Sequence, residues 1–111
     1  MSLGGVVLLD ALQHQTGEIR VVIDSTPSRL SDYGCPATHD PVNNLPRDAG
    51  NLLVIAGNRD QVVKAGTSRE LLELAENRGA TVLRNPAWGH PFMDNHTQHR
   101  LEAVRRFLLQ E

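Results

Sequence analysis

Residues 51 to 60 read Asn-Leu-Leu-Val-Ile-Ala-Gly-Asn-Arg-Asp. The run from Asn51 to Ala56 is apolar without alternation after its first residue, as suits a strand kept dry on both faces, and Gly57-Asn58-Arg59-Asp60 supplies the turn-forming residues that end it. Toward the amino terminus a second β-branched run, Ile19 to Ile23, ends at Asp24-Ser25-Thr26-Pro27, because proline cannot donate to a sheet ladder. Toward the carboxyl terminus Thr81-Val82-Leu83 makes a third strand before Pro86, followed by a loop from Ala87 to Phe92. Helices are predicted between and around these strands. The first runs from Leu3 to Gln15, with Val6, Val7, Leu9, Ala11 and Leu12 apolar and Thr16-Gly17 as the stop. The second opens on Thr67 and Glu70 at capping-box spacing, carries Leu71, Leu72, Leu74 and Ala75, and stops at Gly79. The last buries Leu101, Val104 and Leu108 with Phe107 beside them, and turns Glu102, Arg105 and Arg106 to water. Strands alternating with helices predict a three-layer α/β/α sandwich on a short, mainly parallel sheet of about three strands. Residues 28 to 50, rich in Pro and Asn, read as one long connection with at most a helical turn, of the kind that often covers a site.

The chain has 111 residues, of which 40% are hydrophobic and 22% charged, so it is expected to form one domain with its own core. Eleven Lys and Arg against 13 Asp and Glu, with no basic block, argue against a nucleic-acid partner. The single Cys35 leaves no intramolecular disulfide and reads as a small packing residue. No apolar run nears the ~20 residues of a membrane span and no leader is evident, which makes the cytoplasm the default compartment and a membrane an unexpected partner.

In open parallel sheets ligands sit beyond the carboxyl ends of the strands. The residues there are Asp24, Asp60 and His90. A hydroxyl nucleophile needs an imidazole base, and the imidazole needs a carboxylate to fix its tautomer and to stabilise its cation. Asp60 and His90 supply two of these groups. Ser2, in Met1-Ser2-Leu3-Gly4-Gly5 ahead of a helix, supplies the third, as in the second half of a Gly-x-Ser-x-Gly elbow. Gly4 is the small residue such a turn requires.

Ser2-Leu3-Gly4-Gly5, the strand and turn Leu52 to Asp60, and Asn85-Pro86-Ala87-Trp88-Gly89-His90-Pro91-Phe92 together resemble the C-terminal half of an α/β-hydrolase. The resemblance covers nearly the whole chain. It implies Ser2 as nucleophile, Asp60 as acid after the penultimate strand, His90 as base after the last, and the Leu3 amide as one oxyanion donor. It further implies a small-molecule acyl substrate, cleaved at an ester, thioester or related bond through an acyl-enzyme, with no cofactor. Five strands of that family's sheet have no counterpart here, nor do the Gly before the nucleophile and the loop giving the second oxyanion amide. Losing one such donor typically costs on the order of 10²–10³ in rate. The single domain, residues 1 to 111, is thus expected to be partial.

Each residue also has a plainer reading. Met-Ser-Leu reads equally as an initiator sequence or an expression scar, Asp60 as a turn residue bonding its own backbone, and His90 as a structural histidine packed by Trp88 and Phe92. Asp24 is a reserve acid or a turn residue. His96 and His99, near Asp94, have helical spacing for a metal, but exposed histidines on a charged helix are usually only solvated, so no metal site is assigned. The rival to catalysis is a non-catalytic α/β module or truncated fragment. It would act by self-association, forming a homo-oligomer through the bare strand edge at Ile19 to Ile23.

Overall fold

The computed structural model describes residues 3–12, 19–91 and 93–109. Its sheet holds three parallel strands in the order β1 (Val21–Asp24), β2 (Leu52–Gly57) and β3 (Thr81–Asn85). Ile23 pairs with Val54 and Val54 with Val82, so all three strands end at one rim. Helices α1 (Leu3–Leu12), α2 (Pro41–Asn44), α3 (Ala65–Asn77) and α4 (Thr97–Leu108) complete the chain. This is the predicted α/β class.

Every residue of β2 is buried, and the two-residue period of a strand divides its side chains between two cores. Leu52, Val54 and Ala56 join Val21 and Ile23 beneath Leu9 of α1 and Leu71, Leu72 and Ala75 of α3. Leu53 and Ile55 face the other way, onto Trp88 and Phe107. One helix layer therefore holds α1 and α3 and the other holds α4. Strand β3 is half exposed, as a terminal strand is, and β1 forms the other edge; among the described residues no strand pairs with its outer side.

Four local expectations are corrected. Residues 28 to 50 contain three helical pieces where one turn was expected: 3-10 turns at Ser31–Tyr33 and Ala37–His39, and α2. The segment is also core: Val42, Leu45 and Ala49 are buried, and Asp40, fully buried, accepts the Ser31 amide at 2.8 Å and the Ser31 hydroxyl at 2.6 Å. Thr67 does not cap α3. The helix begins two residues earlier, at Ala65 after Lys64, and the Thr67 hydroxyl donates to the Lys64 carbonyl at 2.7 Å, while Glu70 pairs with Arg29 at 2.6 Å. Its stop is as read: Gly79 has φ +92°, its amide bonds Glu76, and the Ala80 amide bonds Ala75, a Schellman closure. Cys35 is exposed, not packed.

The fourth correction is the buried stripe of α4. It is Arg100, Ala103, Val104 and Phe107, whereas Leu101 and Leu108 are 50% and 46% exposed. An arginine takes the place expected of a leucine because Asp24, also buried, stands opposite it.

Candidate active site

The rim at the strand ends is built by backbone. After β2 the Asn58 amide donates to the Asn85 carbonyl at 3.0 Å and the Arg59 amide to the Trp88 carbonyl at 2.9 Å. The approach is so close that a Cβ on Gly57 would overlap the Trp88 carbonyl, so only glycine fits there without displacement. These contacts join the loop after β2 to the loop after β3, and they set Asp60 beside His90.

Nδ1 of His90 donates to Oδ2 of Asp60 at 2.9 Å, with the two side chains 15% and 1% exposed. The other oxygen of Asp60, Oδ1, accepts the amides of Val62 and Val63, each at 2.8 Å. Asp60 is thus at once the turn residue and the partner of the imidazole. Burial pushes its carboxyl up, but the hydrogen bond from His90 and the Val63 and Val62 amides outweigh it, and the net shift is below the ordinary value. An ionised carboxylate only accepts, so Nδ1 carries the proton and Nε2 is the basic nitrogen of the neutral ring. An oriented imidazole of that tautomer is what general-base chemistry uses.

The contacts of Asp24, the reserve acid, are with Arg100 and Ser25, and it feels His90 through charge as the smallest of the effects that lower its carboxyl. Its Oδ2 lies 2.8 Å from Nε of Arg100, and its Oδ1 accepts the Ser25 hydroxyl at 2.9 Å. Burial raises its carboxyl above the ordinary value, and the opposing pull of Arg100 and Ser25 does not cancel the rise. Ser25 itself has φ +58°, a conformation uncommon outside glycine, at the bend where the chain leaves β1.

Beside His90 is a cavity of about 440 Å³, lined by Arg59, Val62, Gly89, Met93 and His96 among others. None of residues 28 to 50, read as a connection of the kind that often covers a site, lines this cavity. Asp94 lies beside His96, as expected, and accepts the amides of Gly89 at 2.6 Å and His96 at 2.9 Å, which hold its carboxyl below the ordinary value. The His96 and His99 rings stack with centroids 6.0 Å apart.

Ser2 and Phe92 lie outside the described residues. Leu3 is the first residue of α1. The first turn of that helix packs on the same rim: a Cβ on Gly5 would overlap Thr26 Oγ1 and touch Ile23, whereas among the described residues one on Gly4 would meet nothing within 4 Å. Gly5 thus makes a close approach of its own, beside the one expected of Gly4.

Sequence reasoning missed Arg100, which the amphipathic reading of α4 left out; a lone basic residue in register with Ala103, Val104 and Phe107 was the available signal. It also missed Asp94 as the acceptor for the Gly89 amide.

No family model matches the sequence, and a search of curated proteins finds no match. Among solved structures the chain is similar to the uncomplexed acylaminoacyl peptidase of Pyrococcus horikoshii, with a TM-score of 0.66 and 17% identity over 100% of this chain and 24% of that one. The chain spans about a quarter of the length of that structure, an α/β-hydrolase. At this identity the likeness shows the fold alone: an α/β arrangement that matches part of that structure. No helix among the described residues is long and apolar enough to cross a membrane.

Proposed function

We propose that Asp60 and His90 are the acid and base of a serine hydrolase that cleaves an ester, thioester or related acyl bond. The single observation that carries this reading is the 2.9 Å bond from His90 Nδ1 to a buried, ionised Asp60 at the carboxyl ends of two neighbouring parallel strands. Ser2 is assigned as the nucleophile and the Leu3 amide as an oxyanion donor. Supporting both, α1 begins at Leu3, its first turn meets the same rim through Gly5 and Thr26, and the first amides of a helix have no partner within it. In this reading Nε2 of His90 takes the hydroxyl proton as Oγ attacks the acyl carbon, then returns a proton to the leaving group. Water deacylates the serine by the same exchange. The cavity beside His90 receives one side of the substrate.

A fluorophosphonate probe tests the assignment. Labelling of Ser2, lost in His90→Ala, is the expected result; a protein containing this chain that hydrolyses p-nitrophenyl acetate but labels at another residue would refute the role of Ser2. Equal hydrolysis by the parent, Ser2→Ala and His90→Ala would refute the reaction altogether.

The outer edge of β1 supports a second reading, in which the chain acts as a non-catalytic module that self-associates along that strand. Light scattering decides it: a monomer throughout the micromolar range would rule it out.

A further inference from the structure

Arg100 is 3% exposed, and nothing in a triad requires a buried arginine on the last helix. Its Nε lies 2.8 Å from Asp24 Oδ2 without hydrogen-bond alignment, its Nη2 donates to the Gly89 carbonyl at 2.8 Å, and its guanidinium lies 4.9 Å from the centre of the Trp88 ring. Among the described residues Nη1 has no hydrogen-bond partner. Burying a charge this incompletely satisfied is costly, and a leucine would pack here without that cost, so burial of apolar area does not account for the residue.

The position of Gly89 does. Its carbonyl belongs to the peptide that carries the His90 amide, and the peptide on its other side donates to Asp94 Oδ2 at 2.6 Å. Both peptide planes flanking Gly89, the second of which carries the His90 amide, are thus held from outside the loop, one by Asp94 and one by Arg100. Asp24, at the end of β1, stands against the same guanidinium, which ties the far edge of the sheet to the loop after β3. From these contacts we infer that Arg100 is a positioning residue: braced by Asp24 and Trp88, it holds the Gly89 carbonyl and thereby aims His90 at Asp60. The inference rests on the proposed function for its catalytic meaning, but its geometric content can be tested without any activity.

The test uses the full 111-residue chain, with nuclear magnetic resonance reading the His90 Nδ1 proton and the exchange of individual amides. Asp60→Asn serves as the control that assigns the Nδ1 signal to the pair. The double variant Asp24→Asn with Arg100→Met removes both charges and leaves no lone buried ion, and Arg100→Lys keeps a charge but lacks the fork that reaches both Asp24 and Gly89. In both, the Gly89 and Arg59 amides are expected to exchange at least about 10-fold faster while Val54 and Ile55 in β2 do not change, and the Nδ1 signal is expected to broaden away. An unchanged Nδ1 signal in either folded variant would overturn the inference. So would faster exchange at Gly89 that is matched at Val54 and Ile55, since that marks only a loss of global stability. If the parent hydrolyses no ester, the proposed reaction falls, and these signals still decide the role of Arg100.

Discussion

Asp24 ends one strand of the sheet and Asp60 follows the next, each is buried, and each faces a basic side chain, yet their carboxyls shift in opposite directions. The difference lies in what else they accept. Asp60 takes two backbone amides on one oxygen and an imidazole on the other, all well aligned. Asp24 takes a serine hydroxyl and lies against a guanidinium whose nearest N–H is not aligned with it. Its burial is therefore compensated less completely. The partners differ as well: an imidazole can lose its proton near neutral pH and an arginine cannot, so one pair suits proton transfer and the other suits a fixed brace.

The largest effect that can break this contrast is on rate. His90→Ala is expected to lower kcat/KM for p-nitrophenyl acetate by about 10⁴-fold, the upper range for loss of a general base. Asp60→Asn, which favours the wrong tautomer, should cost about 10³–10⁴-fold. Asp24→Asn should cost no more than about 10²-fold, the scale of an ~1 Å misplacement. Equal losses in the two aspartate variants would abolish the distinction.

Stability reverses the order. Asp24→Asn strips a buried arginine of its counter-charge and is expected to cost about 3–5 kcal/mol in urea unfolding. Gly57→Ala, which forces a methyl against the Trp88 carbonyl, should cost about 1–3 kcal/mol and also slow hydrolysis, because the displaced loop carries His90. A stable, fully active Gly57→Ala would show that the backbone join does not set the pair.

The pH dependence sharpens the same comparison. Asp60 has a folded value below its unfolded one, so its contribution to stability is present above the ordinary carboxylate range and is lost as pH falls through the lower, folded value. For Asp24 the folded value is the higher one. The native state then holds the proton where the unfolded chain has released it, and stability falls as pH rises from the ordinary carboxylate value through the raised one. Urea midpoints measured from acid to neutral pH should lose the first slope in Asp60→Asn and the second in Asp24→Asn.

The smallest effect serves as calibration. The Arg29 and Glu70 side chains form a two-bonded pair at 2.6 and 3.1 Å, but in the open, so Glu70→Ala should shift the urea midpoint least of all, and by less still at high salt.

What the sequence made legible follows from which interactions are local. The apolar run of β2, the stop at Gly79, and an acid and an imidazole placed after successive strands are written in neighbouring residues, and all are present. The N-terminus of α3 was misread because Thr67 and Glu70 satisfy the capping spacing while their side chains find Lys64 and Arg29 instead. The buried face of α4 was misread for a longer-range reason: hydropathy places Leu101 inside and Arg100 outside, and only the arrival of Asp24 from another strand reverses them. Residues 28 to 50 hid their three turns because these are too short to show a period, and Val42, Leu45 and Ala49 reach the core without one.

The amide-to-carbonyl stitching between the loops after β2 and β3 has a consequence for engineering. Since the bonds at Asn58 and Arg59 come from the main chain, most side chains around them are released from any duty in aligning the imidazole. A combinatorial library randomised at Arg59, Gln61, Val62, Ala87 and Met93, with Gly57 held constant, would then vary the shape and polarity of the recess while leaving the bond between His90 and Asp60 in place. Such a scaffold can be retuned for new guests without rebuilding its backbone.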